Sequence, residues 1–372
     1  WACEPWCQQE MPVSQELAAE AAAASNKAIV VIGRTAGEDK DNVAGEGSYY
    51  LTRTETEMLG CVCSCFKDVI VGLNVANIID MGFVQDSPQI KAVVYAWQGG
   101  IEGGNGIADV LTGKEVFQGR LTDTIARRIT DYPADKNHGG KTKNVYQEDI
   151  YVGYRYFESF DKEAVRYPFG YGLSYTEFSI SDSAVRLKGS GADTMFIFSC
   201  RVKNTGTRYS GREIVQLYVE GPQGSMGRPA RELIGFAKTG MLGCLEEEEI
   251  RIEIPACRLA AFDDSGVSGY RNAYVLEAGV YRFHAGKNVR DTNEVPVNGT
   301  DTWQLAETLL IVQCEEAMAP IEEFERMRAY VSSDGALAIT HEQVPTRTIN
   351  IKDRILSRLP SQIPYTGSRG LS

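Results

Sequence analysis

From residue 13 to about 130 the chain alternates between short apolar runs and segments with helical periodicity. AIVVIG at 28–33 is apolar throughout, as a strand buried on both faces of a sheet would be. VIVGLNV at 69–75 and AVVYAW at 92–97 repeat the pattern, and RLTDTI at 120–125 predicts a fourth strand. Helical segments lie between them. QELAAEAAAAS has Ser14 as N-cap and Glu16 in the first turn, where the helix dipole favours an acid. TETEMLGCVCSCF has Thr54 as cap with Glu57 at the capping-box distance. Two further helices are expected over 76–85 and 105–112. This alternation predicts βαβ units and a mainly parallel sheet with helices on its faces. In such sheets ligands gather at loops leaving the carboxyl ends of strands, here 33–49, 74–76 and 98–105.

The pattern breaks after residue 130. DYPADKNHGGKTKN is polar and turn-rich, while EDIYVGYRYFESF and YPFGYGLSYTEFSI are aromatic with strand-like periodicity. From 179 to 315 the reading is all-β, with roughly six or seven short strands separated by turns such as NTG, GPQG and DDSG, which predicts a β-sandwich. The acidic EEAMAPIEEFERM is expected to be helical, and the last residues resemble a linker. The fold class is therefore α/β plus all-β, in four parts. These are an α/β sandwich domain over 1–130, incomplete at its front; a connector packing on it over 131–178; a β-sandwich over 179–315; and a helical and linker tail over 316–372. A length of 372 residues suits two or three domains.

Composition removes several classes of function. The net charge of −12 argues against a nucleic-acid partner, which would require clustered Lys and Arg. No apolar run approaches the roughly 18 residues that span a bilayer, so no membrane partner is expected. The nine cysteines are odd in number and irregular in spacing, which fits reduced thiols and a cytoplasmic location. CVCSC at 61–65 has His138 as its nearest His and no CxxC pair, so it reads as a helix with half-buried thiols and no metal is expected. GGIEGGNG follows the third strand rather than the first and lacks a ribose-binding acid at the right distance, which argues against a dinucleotide site. The three histidines are scattered and no GxSxG elbow exists, which argues against a Ser-His-Asp hydrolase. The NGT sequon at 298–300 is a weak signal in a chain read as cytoplasmic.

Three tracts resemble one known family. EDIYVGYRYFESFDKEAVRYPFGYGLSYTEF at 148–178 is similar to the signature between the two C-terminal domains of family 3 glycoside hydrolases. NTGTRYSGREIVQLYVE and RPARELIGFAK, within 204–238, resemble the fibronectin type III-like domain that follows it. WQGGIEGGNGIADVLTGKEVFQGRLTDTIA at 97–126 resembles the family's glycine-rich loop, helix and strand. The resemblance implies a β-glucosidase-like retaining exo-glycosidase without a cofactor, acting on β-linked oligosaccharides or glucosides. It also implies a catalytic (β/α)8 barrel carrying the nucleophilic Asp. A barrel of roughly 250 residues does not fit in this chain. The tail past the β-sandwich resembles the linker of members with swapped order, in which the barrel comes last, so a barrel of the same protein is the expected partner.

The loop GRTAGEDKDN at 33–42 resembles the family loop that carries the general acid/base, which places that role on Glu38. The family usually has Gly where Asp39 stands. Position supports the same residue, because Glu38 lies just past the carboxyl end of a buried strand on a glycine-containing loop. A retaining glycosidase needs two carboxyls roughly 5–5.5 Å apart, one to attack the anomeric carbon and one to exchange protons with the leaving oxygen and then water. Arg34, Asp41 and Gln98 are candidates for binding substrate or orienting the loops. Glu46, in AGEGSYY, is the rival to Glu38. The aromatics of YVGYRYF and YPFGYGLSY read as packing between domains. Competing readings are a β-xylosidase of the same family and a non-catalytic carbohydrate-binding or interaction module. A flavodoxin-like nucleotide binder would need a phosphate-cradling loop at the first strand, where GRTAGED places acid.

Overall fold

The computed structural model describes residues 12–34, 41–316 and 318–349. Helix α1 (Gln15–Ala24) starts at Ser14, whose side chain accepts from the Leu17 N–H. It leads into β1 (Lys27–Gly33). Helix α2 (Arg53–Cys65), β2 (Asp68–Asn74), the single turn α3 (Phe83–Asp86), β3 (Ile90–Tyr95) and α4 (Gly103–Thr112) follow. The strands form a three-stranded parallel sheet in the order β1-β2-β3, with Gly33 opposite Asn74 and Leu73 opposite Tyr95. Val30 and Ile32 of β1 pack with Leu59 and Val62 of α2 and with Val69, Val71 and Leu73 of β2.

Several expectations differ from the structure, each for a local reason. β1 is covered on one face only by the described residues: Ile29 and Val31 are 59% and 64% exposed. The capping box of α2 is Thr52 with Glu55, two residues before the expected pair, because Glu55 also serves an ion pair described below. The helix expected over 76–85 shrinks to α3 because distant side chains take the backbone groups before it. Tyr95 Oη accepts from the Ile79 N–H and donates to the Asn77 carbonyl, and Asn42 Nδ2 donates to the Ile78 carbonyl. The fourth parallel strand is absent from the sheet. Leu121 instead exchanges backbone bonds with Gly170 and Tyr171. β4 (Ile125–Ala126) pairs antiparallel with β5 (Val165–Tyr167).

The connector contains a helix, α5 (Tyr154–Phe160), where strand periodicity was expected. Its aromatics stand three and four residues apart, so Phe157 enters the interior and rings Tyr156 and Phe160 contact each other. Tyr154 stacks on Phe169 at 4.7 Å and its hydroxyl accepts from the Leu233 N–H, so this ring joins the connector to the sandwich. A buried ion pair, Arg120 to Glu213 at 2.5 Å, ties the sheet domain to the sandwich.

The sandwich begins with β6 (Phe178–Lys188), β7 (Met195–Asn204), β8 (Ile214–Glu220), β9 (Glu232–Lys238) and β10 (Glu247–Pro255). It continues with β11 (Ala261–Asp263), β12 (Ala273–Leu276), β13 (Gly279–Gly286), β14 (Thr292–Val295), β15 (Trp303–Leu305) and β16 (Leu309–Gln313). One sheet has the order β10-β7-β6 and the facing sheet β14-β13-β8-β9, with Phe196, Phe198, Leu217 and Phe283 in the shared core. A small third sheet has the order β11-β12-β16.

The tail is a hairpin of β17 (Glu325–Val331) and β18 (Leu337–Gln343) rather than a helix. The turn SSDG between them puts Gly335 at a φ of 86°, and the Ser332 N–H donates to the Ala336 carbonyl, which closes the hairpin. Met327 and Ala329 bond the Gln147 carbonyl and the Tyr151 hydroxyl, which lays the hairpin on the connector. No helix among the described residues is long and apolar enough to cross a membrane. The seven described cysteines are unpaired.

Candidate active site

The three parallel strands end side by side. The Arg34 N–H donates to the Asn74 carbonyl and the Ala96 N–H to the Leu73 carbonyl, which are the last rungs of the ladder. The chain therefore leaves the sheet at Arg34, after Asn74 and at Trp97, on one edge. This is where a doubly wound sheet binds ligands.

Arg34 organises the first of these exits. Its Nη1 and Nη2 hold the two carboxylate oxygens of Glu55 at 2.5 and 2.8 Å. The remaining donors go to the carbonyls of Gly33, Ser48 and Tyr50 at 2.9, 3.2 and 3.2 Å. A guanidinium has five N–H groups, and all of them are satisfied within the protein. Arg34 thus spends its donors on the carbonyls and the carboxylate around it.

Glu38 lies outside the described residues. Asp41, where the loop returns, is exposed, with His138 Nε2 3.8 Å from its carboxylate. Asn42 is bonded to Ile78 on the neighbouring exit, so the return leg is tied across the strand ends. Gln98 is exposed at the β3 exit and makes no hydrogen bond among the described residues. Glu46 accepts from the Arg53 N–H at 3.3 Å, an acid at the N-terminus of α2.

Glu55 escaped the sequence reading. Two capping-box spacings overlap there, Thr52 with Glu55 and Thr54 with Glu57, and periodicity does not rank them. The deciding fact is the arginine 21 residues earlier, which reaches Glu55. Asp123, close to Tyr95 and Tyr132, was also missed. Burial holds its carboxyl above the ordinary range, partly offset by a hydrogen bond from the Thr124 N–H.

A cavity of about 360 Å³ lies elsewhere, where connector, sandwich and hairpin meet. Five arginines and five carboxylates line it. Arg326 alone bonds Asp264 and Glu342 and approaches Asp149. Arg228 pairs with Glu232 and Arg328 with Glu342, and none of the lining residues belongs to the strand exits.

The family comparisons agree with this architecture. The glycosyl hydrolase family 3 C-terminal domain matches residues 8–175, and a fibronectin type III-like domain matches 213–289. A β-glucosidase of Ruminococcus albus is 44% identical over 100% of this chain and 38% of its own length. β-Glucosidase A of Butyrivibrio fibrisolvens is 37% identical over 91% of this chain and 43% of its own. The crystal structure of a β-glucosidase from Paenibacillus barengoltzii superposes with a TM-score of 0.91 at 49% identity, covering 100% of this chain and 40% of that one. β-Glucosidase 3B from Thermotoga neapolitana, in complex with α-D-glucose, gives a TM-score of 0.72 at 34% identity over 83% of this chain and 41% of that one. The chain belongs to glycoside hydrolase family 3, carrying its C-terminal α/β domain and its fibronectin type III-like domain. It spans about two fifths of the length of these relatives.

Proposed function

We propose that this chain is part of a retaining exo-β-glucosidase and supplies its acid/base carboxyl, Glu38. The observation that supports this most is the Arg34 anchor. It fixes the start of the GRTAGEDKDN loop to Ser48, Tyr50 and Glu55 at the carboxyl edge of the parallel sheet. A carboxyl needs such a rigid base if it is to meet a scissile bond held largely by another domain. That domain is a (β/α)8 barrel of the same protein, whose Asp carboxylate attacks the anomeric carbon. Glu38 gives its proton to the departing oxygen as the glycosyl ester forms. The resulting Glu38 carboxylate then takes a proton from water, which releases the sugar with retained configuration. No cofactor enters these steps.

The test is Glu38→Ala in the full-length protein. Hydrolysis of a disaccharide, whose alcohol leaves poorly, should fall by roughly 10²–10⁴. The first step with an activated aryl glucoside should suffer less. Azide, which needs no base, should restore turnover of that substrate and give the β-glycosyl azide. Disaccharide hydrolysis within about tenfold of wild type would reject Glu38. Glu46 would then be examined in the same way.

A further inference from the structure

In the cavity between connector, sandwich and hairpin, most of the charge is already matched. Arg228 Nε and Nη2 hold Glu232 at 2.9 and 2.5 Å. Arg326 takes both oxygens of Asp264, at 2.6 and 2.8 Å, and Glu342 at 2.9 Å, and Arg328 shares Glu342. Asp263 spends its carboxylate on the N–H groups of Ser265, Gly266 and Ser268. Asp149 stands 3.5 Å from Arg326, and burial holds its carboxyl above the ordinary range, which favours the neutral form. Two guanidiniums are left over. Arg155 and Arg258 also line the cavity, and neither has a carboxylate or a hydrogen-bond acceptor among the described residues.

The walls around them are fixed. The Tyr151 hydroxyl accepts from the Ala329 N–H at 2.7 Å, which seats the hairpin on the connector. Gly227 has a φ of 62°, and a Cβ there would stand 2.7 Å from the Ala329 carbonyl oxygen, so glycine lets this turn of the sandwich approach the hairpin. Phe262 and Tyr274 face each other across β11 and β12, with centroids 5.1 Å apart. Both rings line the cavity and remain 46% and 44% exposed, which gives it an apolar side open to solvent.

We propose that this cavity binds a small organic anion of monosaccharide size, its phosphoryl or carboxylate oxygens held by Arg155 and Arg258 and its body set against Phe262 and Tyr274. The volume of about 360 Å³ suits such a ligand. A guanidinium presents a planar fork of donors that matches either oxyanion. Arg155 is half-buried on α5, so its unmatched charge carries part of a desolvation cost that an anion offsets. Arg258 is exposed, in the turn before β11. A neutral sugar would leave both charges unmatched. The lining residues come from connector, sandwich and hairpin, so a bound ligand stabilises the three parts together.

The experiment is calorimetric titration of the full-length protein with glucose 6-phosphate and with glucuronate. Excess glucose in cell and syringe fills any site for a neutral sugar. Wild type should bind at least one of the two probes with a Kd below about 1 mM. Binding of the phosphate ester alone, of the uronate alone, or of both tells which oxyanion the site takes. Arg155→Gln and Arg258→Gln should each weaken binding at least about tenfold. Arg155→Lys should retain part of it, because the charge stays and the fork is lost. Failure of wild type to bind either probe would overturn the site, as would binding that both Gln variants leave within about twofold. Neither guanidinium supports another described residue, so both variants should melt at the wild-type temperature without ligand. Should Arg155→Gln fail to fold, Arg258→Gln, at an exposed position, decides by the same criterion.

Discussion

Arg34 and Glu55 form a two-armed ion pair, 2.5 and 2.8 Å, between the end of β1 and the first turn of α2. The Glu55 carboxylate also accepts from the Thr52 N–H at 2.9 Å, so one side chain closes a capping box and anchors a loop. Both side chains are about one tenth exposed. Removing either partner leaves a charge with little access to water.

Breaking this pair should therefore be costly. Arg34→Met or Glu55→Gln is expected to lower the stability of the sheet domain by about 3–5 kcal/mol, the range for orphaning a buried charge. Arg34→Lys should recover only part of it, since an ammonium cannot reproduce the planar fork. Urea unfolding followed by circular dichroism measures this. A Lys variant as stable as wild type would show that charge alone suffices.

The 372-residue chain by itself should not turn over aryl β-glucosides. The proposed mechanism requires two carboxyls, and the nucleophile is assigned to another domain. Purified chain incubated with good and poor leaving-group glucosides should match the buffer blank. Authentic turnover would mean that a nucleophile resides within these residues.

Asp263 should give the sandwich an acid-sensitive joint. Its buried carboxylate accepts from the N–H groups of Ser265, Gly266 and Ser268 and from the Ser265 hydroxyl. Burial opposes the charge, but the bonds from Ser268, Gly266 and Ser265 outweigh it and hold the pKa below the ordinary value. A depressed carboxyl stabilises the fold fully above its unfolded pKa of about 4, and that contribution is lost as pH falls through the folded value. Melting temperatures measured from pH 6 downward should fall more steeply below about pH 4 for wild type than for Asp263→Asn. Parallel curves would remove Asp263 from the acid response.

Limited proteolysis should cut first within 138–145, an exposed polar stretch without regular structure. β8 should resist, because Val215 to Val219 are buried between β9 and β13. Early fragments ending inside 214–220 would contradict that placement.

Much of the fold was legible because local pattern and tertiary demand coincide. Ser14 caps a helix in any context, and VIVGLNV has few alternatives to a buried strand. The tail shows where local reading runs out. Its acidic composition suggested a helix, whereas Arg326 bonds Glu342 directly across the hairpin and Asp264 of the sandwich, which favours paired strands over a helix. At 77–79, side chains from Asn42 and Tyr95 claim backbone groups that a helix would have used.

The sequence by itself determined the parallel α/β order and the sandwich, and it carries the resemblance on which the Glu38 proposal rests. These rest on periodicity and short motifs, which survive without knowledge of distant neighbours. Tertiary structure decided where the donors of Arg34 go. Its residue type allowed sugar binding or loop orientation, and only the arrival of Gly33, Ser48, Tyr50 and Glu55 around one guanidinium consumes every donor. It also decided the backbone at Trp97, whose left-handed conformation and ring contact with Tyr95 depend on how β3 ends against the neighbouring exit. Hydrogen-bond supply and backbone strain are properties of assembled neighbours, and no window of sequence contains them.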